Sequence, residues 1–362
     1  MPEKNLSHTK WMKRAIFLAS LGKNTTSPNP NVGAVILDKY GNLISEGFHF
    51  KAGMPHAEAM ALKNLKKDPK GGSMYVNLEP CCHKGKTPPC VDKVISSGIK
   101  DIYISIEDPD KRVSGKGIKL LKEAGIQVHL GLCKKESTDL NKAFIHRNIT
   151  KKAFGVLKYA MSIDGRVGLK NGKSKWITNK DSRSLVHSYR AEFDAIIIGG
   201  NTLRKDNPLL TTRGAKTPEP LRVVFTKTLD LPSKLNLWDC KDARTLVIYD
   251  SSTANESFLT RIPQSVEIEK VSSDNPELIS KILAKRGCNK VLWECGPKLA
   301  TAAIESNCIQ EIITFVAPKI LGGDNSMNPF GDFKFREMDE IIQLSDLRVS
   351  LIGKDICVRS SL

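Results

Sequence analysis

This chain of 362 residues lacks several features, and each absence narrows what it can be. No apolar run approaches the roughly 20 residues that a bilayer-spanning helix needs, which argues against a helical membrane protein. Met1 to Arg14 is mostly polar and has no apolar core of the signal-peptide kind, so the expected location is cytoplasmic. No low-complexity segment and no internal repeat occurs, and charged residues alternate with apolar runs throughout. That composition argues against intrinsic disorder. Aromatics make up only 6% of the chain. Lys and Arg total 56 against 39 Asp and Glu, a formal charge of +17, yet no block of five or six basic residues occurs. Scattered charge with few aromatics makes a nucleic-acid surface the lesser reading and leaves phosphorylated small molecules as the anionic partners. No Gly-x-Gly-x-x-Gly follows a strand signal, so the ordinary dinucleotide fingerprint is missing.

The nine cysteines are odd in number and come without an export signal, which argues against a disulfide framework. Cys133, Cys240, Cys288, Cys295, Cys308 and Cys357 are isolated, mostly in apolar surroundings, and read as buried thiols. Cys81, Cys82 and Cys90 stand apart as a cluster. At about 150 residues per domain the length predicts two domains, perhaps a third. Helix and strand signals alternate from Trp11 to Leu130, which predicts an α/β layer unit. Asp139 to Ile149 reads as a helical connector. A second α/β unit follows from about Lys151, with strand-like runs at Phe154 to Met161, Ala195 to Ile198, Arg222 to Phe225, Thr245 to Tyr249, Lys290 to Trp293 and Ile312 to Ala317. The expected domains are 1–147 and 148–362.

His56-Ala57-Glu58 lies at a predicted helix start, and a strand ends at Glu79-Pro80-Cys81, nine residues before Cys90. One imidazole and two thiolates form a three-ligand zinc set with a fourth tetrahedral position left for water. Glu58, two residues past the histidine, is placed to shuttle that water's proton to a leaving amine. This combination fits the His-x-Glu and Pro-Cys signature of zinc nucleobase deaminases, except that eight residues separate the cysteines instead of two. Cys82 and His83 are competing ligands by position. In the second unit, Ile198-Gly-Gly-Asn-Thr202 and Trp293-Glu-Cys-Gly-Pro-Lys-Leu299 are strand-to-helix turns able to hold phosphates on backbone amides.

Asn29-Pro-Asn-Val-Gly-Ala-Val35, Gly47-Phe-His49, His56-Ala-Glu58 and Glu79 to Cys90 closely resemble the deaminase half of the bifunctional riboflavin-biosynthesis deaminase/reductases. Lys158 to Arg166, Ser174 to Thr178, Arg190, Gly199 to Arg213 and Pro318 to Gly323 resemble the reductase half. The resemblance implies a cytidine-deaminase-like α/β/α layer domain followed by a dihydrofolate-reductase-like α/β domain. It implies a zinc-dependent pyrimidine deaminase with metal ligands His56, Cys81 and Cys90, catalytic Glu58, and substrate contacts from Asn29, His49 and Lys86. It implies an NADPH-dependent reduction of the ribosyl to the ribityl chain. Met161, Trp176, Thr202, Asp206, Gly296, Pro297, Lys298, Leu299, Ala300, Thr301 and Ala302 would hold the cofactor. Lys158, Ser174, Arg190, Leu210, Arg213 and Glu294 would touch substrate, with Arg190 and Arg213 clamping its phosphate. A homo-oligomer built through the reductase domains is also implied. Two departures from the family pattern are Asp110, where relatives carry Asn, and Thr226-Lys227, where they carry Asp-Ser. The competing readings are a deaminase with an inactive second half, a nucleic-acid base deaminase, and a non-enzymatic zinc scaffold.

Overall fold

A computed structural model describes residues 2–83, 88–323 and 326–362. The chain divides into two units, Met1–Thr150 and Lys151–Leu362. The border falls three residues past the expected 147, because the connecting helix runs unbroken to Thr150.

The first unit runs α1 (Pro2–Ser20), β1 (Gly33–Leu37), β2 (Leu43–Phe48), α2 (Ala57–Lys63), β3 (Ser73–Leu78), α3 (Cys90–Ser96), β4 (Asp101–Ile106), α4 (Lys116–Glu123), β5 (Gln127–Leu130) and α5 (Lys134–Thr150). The strands form one sheet in the order β2-β1-β3-β4-β5, with β1 antiparallel to both neighbours and β3, β4 and β5 parallel. β1 is buried at all five positions because both faces are covered, and a strand covered on both faces is apolar throughout. Met12, Ala15 and Leu18 of α1 pack on Val35, Leu37 and Tyr75. Ala57 and Ala61 of α2, Val91 and Val94 of α3, and Ile118 and Leu121 of α4 belong to a second core with Ala34, Ile36, Val76 and Ile104. α2 lies close on the sheet because residue 47 is glycine. A Cβ there would sit 2.5 Å from the Ala61 nitrogen and 2.6 Å from the Ala57 oxygen.

The second unit runs β6 (Phe154–Ser162), α6 (Lys180–Arg190), β7 (Ala195–Gly199), α7 (Gly200–Asp206), β8 (Leu221–Thr226), β9 (Thr245–Asp250), β10 (Glu267–Val271), α8 (Pro276–Lys285), β11 (Lys290–Trp293), α9 (Pro297–Glu305), β12 (Glu311–Ala317), β13 (Ser345–Ile352) and β14 (Asp355–Ser361). Its nine strands order as β10-β9-β8-β7-β11-β6-β12-β14-β13. All are parallel from β10 to β12, and β14 and β13 close the sheet antiparallel. The order doubles back where β11 inserts between β6 and β7. Ligands of open α/β sheets bind at such a switch point, beyond the carboxyl ends of the strands. Ile279 and Leu283 of α8 and Ala300, Ala303 and Ile304 of α9 cover one face over Leu157, Ile197, Val223, Val291 and Trp293.

The sequence reading misses β10, whose burial alternates over Glu267–Val271 behind a polar face. It also starts the first helix at Trp11 instead of Pro2. Among the described residues no helix is long and apolar enough to cross a membrane. Gly47→Ala is expected to cost about 1–3 kcal/mol by forcing α2 off the sheet. The check is a thermal melt of the full chain, in which the first transition moves down by several degrees.

Candidate functional site

In the first unit the reactive groups collect at the carboxyl end of β3. His56 is the N-cap of α2, Cys90 is the first residue of α3, and Cys81 follows β3 by three residues. Both thiol sulfurs lie 3.5 Å from His56 Nδ1, and the three ligand atoms are all within 4.8 Å of one another. In a tetrahedral zinc shell with bonds of about 2.0–2.3 Å, nitrogen and sulfur ligands sit about 3.5 Å apart. The residues therefore fit the ion. The hydrogen bond from Cys90, followed by the one to His56, draws the Cys81 thiol far below its ordinary value. Cys90 is pushed up by Cys81 and by burial. The bond to Cys81 raises His56. Glu58 is buried, and desolvation together with the nearby Cys81 pushes its carboxyl up to about 7. Cys82 turns away and reaches the Arg112 carbonyl at 3.8 Å, so the competing-ligand reading fails for it.

Asn29 and His49 join this cluster. Asn29 Nδ2 donates to His49 Nε2 at 3.0 Å, while His49 Nδ1 donates to the Pro55 carbonyl at 3.1 Å, a pair of bonds that sets the tautomer. The His49 ring stands edge-on to His56 with centroids 5.3 Å apart. Burial lowers its pKa. Lys86 lies outside the described residues. Asp110, the departure noted above, is held by its neighbour Arg112 at 2.9 and 3.0 Å, so its carboxylate carries its own counter-charge.

Three anchors escaped the sequence reading. Glu79 accepts the amides of Asp108, Gly115 and Ile118 at 3.2, 2.9 and 3.1 Å, tying the end of β3 to the loop after β4. Asn77 takes the Gly33 amide at 2.9 Å and donates to the Asn31 carbonyl at 3.0 Å. Asn141 bonds both the amide and the carbonyl of Asn31, at 2.8 and 3.0 Å, which locks the loop that carries Asn29. Their only sequence signal is a polar residue inside or beside an apolar element.

In the second unit a cavity of about 830 Å³ opens at the carboxyl ends of β6, β7, β8 and β11. Lys158, Ser174, Arg190, Leu210 and Glu294 line it, as do Thr202, Asp206, Gly296, Pro297, Lys298, Leu299 and Ala302. Its size and its convergent polar groups fit a dinucleotide beside a small substrate. Gly200 lets the start of α7 close on β8, since a Cβ there would be 2.8 Å from Thr226 Oγ1. Leu210 has φ +54°, strain that is held in place where Glu219 grips Thr212 at 2.7 and 2.8 Å two residues later.

The structure places several of the expected residues in other surroundings. Arg190 does not offer a free guanidinium to a phosphate: Nε and Nη2 bind the Glu294 carboxylate at 2.7 and 3.0 Å, and Nη1 donates to the Thr211 carbonyl at 3.1 Å. A buried arginine requires such a counter-charge. Arg213 is exposed and does not line the cavity. Ala300 is buried on the core side of α9, and the Thr301 hydroxyl is used by the Pro297 carbonyl and the Gly331 amide. A helix lying on a sheet turns part of every turn inward, so these two positions face the core. Met161 and Trp176 are also absent from the lining, and Trp176 instead stacks under Arg183 at 4.5 Å.

Burial alone would raise the Glu294 carboxyl, but the charge and hydrogen bonds of Arg190, helped by Lys158, pull it down to about 2. Burial lowers the Lys158 ammonium, with Glu294 opposing and Arg190 assisting. Glu294→Gln leaves Arg190 buried and unpaired, an expected loss of about 3–5 kcal/mol. Because the folded-state pKa is depressed, the wild-type advantage is complete above the ordinary carboxylate value of 4.5 and fades as pH falls toward about 2. The difference in urea midpoints between the two proteins, measured across that range, reads it.

Comparison with known proteins agrees with both units. Residues 6–106 match the family model of the cytidine and deoxycytidylate deaminase zinc-binding region, and residues 153–358 match that of the RibD C-terminal domain. The chain is 40% identical to the riboflavin biosynthesis protein RibD of Synechocystis, over 97% of this chain and 95% of that one. It is 36% identical to that of Aquifex aeolicus, over 96% of each. Among solved structures, RibD of Acinetobacter baumannii superposes with a TM-score of 0.88 at 31% identity, covering 99% of both chains. A diaminohydroxyphosphoribosylaminopyrimidine deaminase/5-amino-6-(5-phosphoribosylamino)uracil reductase from Thermotoga maritima gives 0.86 at 33% identity, again over 99% of both. With a cytidine-deaminase-like zinc unit and a dihydrofolate-reductase-like unit in one chain, the protein belongs to the RibD family, the bifunctional zinc- and NADPH-dependent deaminase/reductases of riboflavin biosynthesis.

Proposed function

We propose that His56, Cys81 and Cys90 hold the zinc ion and that Glu58 moves the proton during deamination. The observation that carries this reading is the convergence of the three ligand atoms beside a buried carboxylate. Zinc bound there supplies a Lewis acid that makes water nucleophilic near neutral pH. Glu58 takes the proton of the attacking water and hands it to the ring amine of the diaminopyrimidinone as the carbon–nitrogen bond breaks. Water is consumed and ammonia leaves. Asn29 and His49, fixed to one another, present polar atoms to the substrate.

In the second unit, Thr202, Asp206, Gly296 to Leu299 and Ala302 hold NADPH, which supplies the hydride to C1′ of the opened sugar. Lys158, with a lowered pKa, gives the matching proton to the heteroatom on that carbon. Glu294 faces the same region of the cavity, and Arg190 acts by positioning it. Ser174 and Leu210 flank the sugar.

The test follows ammonia release and reduced-nicotinamide absorbance with the diaminopyrimidine substrate. Glu58→Gln should keep its zinc, lower ammonia release by about 10²–10⁴-fold, and still oxidise NADPH when given the deaminated compound. Undiminished ammonia release would overturn the role of Glu58.

The protein is also proposed to be a cytoplasmic homo-oligomer. None of its nine cysteines is in a disulfide, as a reducing compartment favours. The edge strand β13 exposes Leu347, Val349 and Leu351 at alternate positions, an apolar stripe that calls for a second copy. Leu347→Asp combined with Val349→Asp is expected to reduce the sedimenting mass to that of one chain.

A further inference from the structure

The rim of the second cavity carries one ion pair that hydride transfer does not use. Lys227 directly follows β8, and its ammonium meets the carboxylate of Asp274, in the loop after β10. Both side chains line the cavity. The other cationic groups that line it have different places, apart from Lys205 near the end of α7. Lys158 and Arg190 cluster with Glu294. Arg204 donates to the Asp230 carbonyl at 3.0 Å. Lys298 sits in the first turn of α9, which starts the phosphate-holding turn.

The sheet order β8-β7-β11-β6 sets Lys227 and Lys158 three strand positions apart, about 14 Å at roughly 4.8 Å per strand. The reacting end of the cavity is at β6 and β11, where Lys158 and Glu294 stand. A dinucleotide whose diphosphate lay on the amides at the start of α9 would bring its adenosine end toward β8.

Resting on the NADPH reading above, we propose that Lys227 recognises the 2′-phosphate of the adenosine ribose, with Asp274 as its counter-ion in the empty cavity. The 2′-phosphate is the only group that separates NADPH from NADH, so Lys227 sets cofactor preference. The exchange has a sound electrostatic basis. Both partners are largely exposed, with side chains 60% and 47% accessible, and an ion pair of that kind is worth little. A phosphate monoester carries a charge of about −1.5 to −2 and three acceptor oxygens, so it outcompetes one carboxylate for the ammonium. Asp274, left unpaired beside the phosphate, lowers affinity. Removing its charge therefore favours NADPH.

The experiment is calorimetric titration of the full-length zinc-loaded protein with NADPH, NADH, 2′,5′-ADP and 5′-AMP, with no turnover. Lys227→Ala should weaken NADPH and 2′,5′-ADP by about tenfold or more, the worth of a charge-assisted hydrogen bond. NADH and 5′-AMP should bind as before. Lys227→Arg should restore most of the loss, and Asp274→Asn should tighten NADPH. Unchanged NADPH affinity in Lys227→Ala, or an equal loss for both dinucleotides, would overturn the proposal while leaving the cofactor reading intact. Failure of the wild-type protein to bind either dinucleotide would overturn the cofactor reading and the proposal together.

Discussion

A polar side chain taken out of water must find partners, and in this protein those partners hold the working loops in place. Glu79 is the clearest case. Its carboxylate is buried and satisfied by the amides of Asp108 and Gly115, between β4 and α4, and of Ile118 in the first turn of α4, and it stands two residues before Cys81. The thiol's position at the end of β3 is thereby set by hydrogen bonds to a segment that begins 29 residues further on, at Asp108. Asn77 and Asn141 do the same for the Asn29 loop. In the second unit Asp355 accepts the Asn179 amide at 2.8 Å and the Ser182 hydroxyl at 2.6 Å, anchoring the start of α6. At the other end of that helix Arg190 grips Glu294.

This constraint explains why Arg190 and Glu294 form a unit. The bidentate pair keeps Glu294 ionised in a site where burial would protonate it, and it holds that charge beside Lys158. The arginine was read from sequence as a phosphate ligand on chemical type alone. Guanidinium groups recognise carboxylate and phosphate with the same planar fork, so residue type cannot tell an internal partner from an external one. The net charge of +17 is similar. A few basic groups line the cavity and some others pair on the surface, as Arg286 does with Glu267 and Glu269, but an excess of +17 has no acidic partner within the chain.

Much of the architecture was legible. The apolar runs at β1, β3, β7, β9 and β11 are buried on both faces and stand out in the sequence. β10 was not legible, because its glutamates are half-buried, its Ile268 is exposed and only Val271 is deeply buried. The cluster of His56, Cys81 and Cys90 was legible because these residues combine rare ligand types with a helix start and a strand end. The turn at Gly296 was legible as a turn, but which of residues 296 to 302 face the cavity was not. That division depends on how α9 is rotated on the sheet, and Ala300 and Thr301 went to the core side.

Sequence by itself therefore determined the class of chemistry, the two-unit plan and the strands that build each core, because hydrophobic periodicity and ligand residue types are local properties. Tertiary structure alone decided which polar groups satisfy one another and which are left for substrate. Asn141 reaches Asn31 across 110 residues, and Arg190 reaches Glu294 across 104. Lys227 and Asp274, separated by β9 in the sheet, meet at one cavity rim. Burial creates the demand for a partner, and only the folded chain brings together the groups that can meet it.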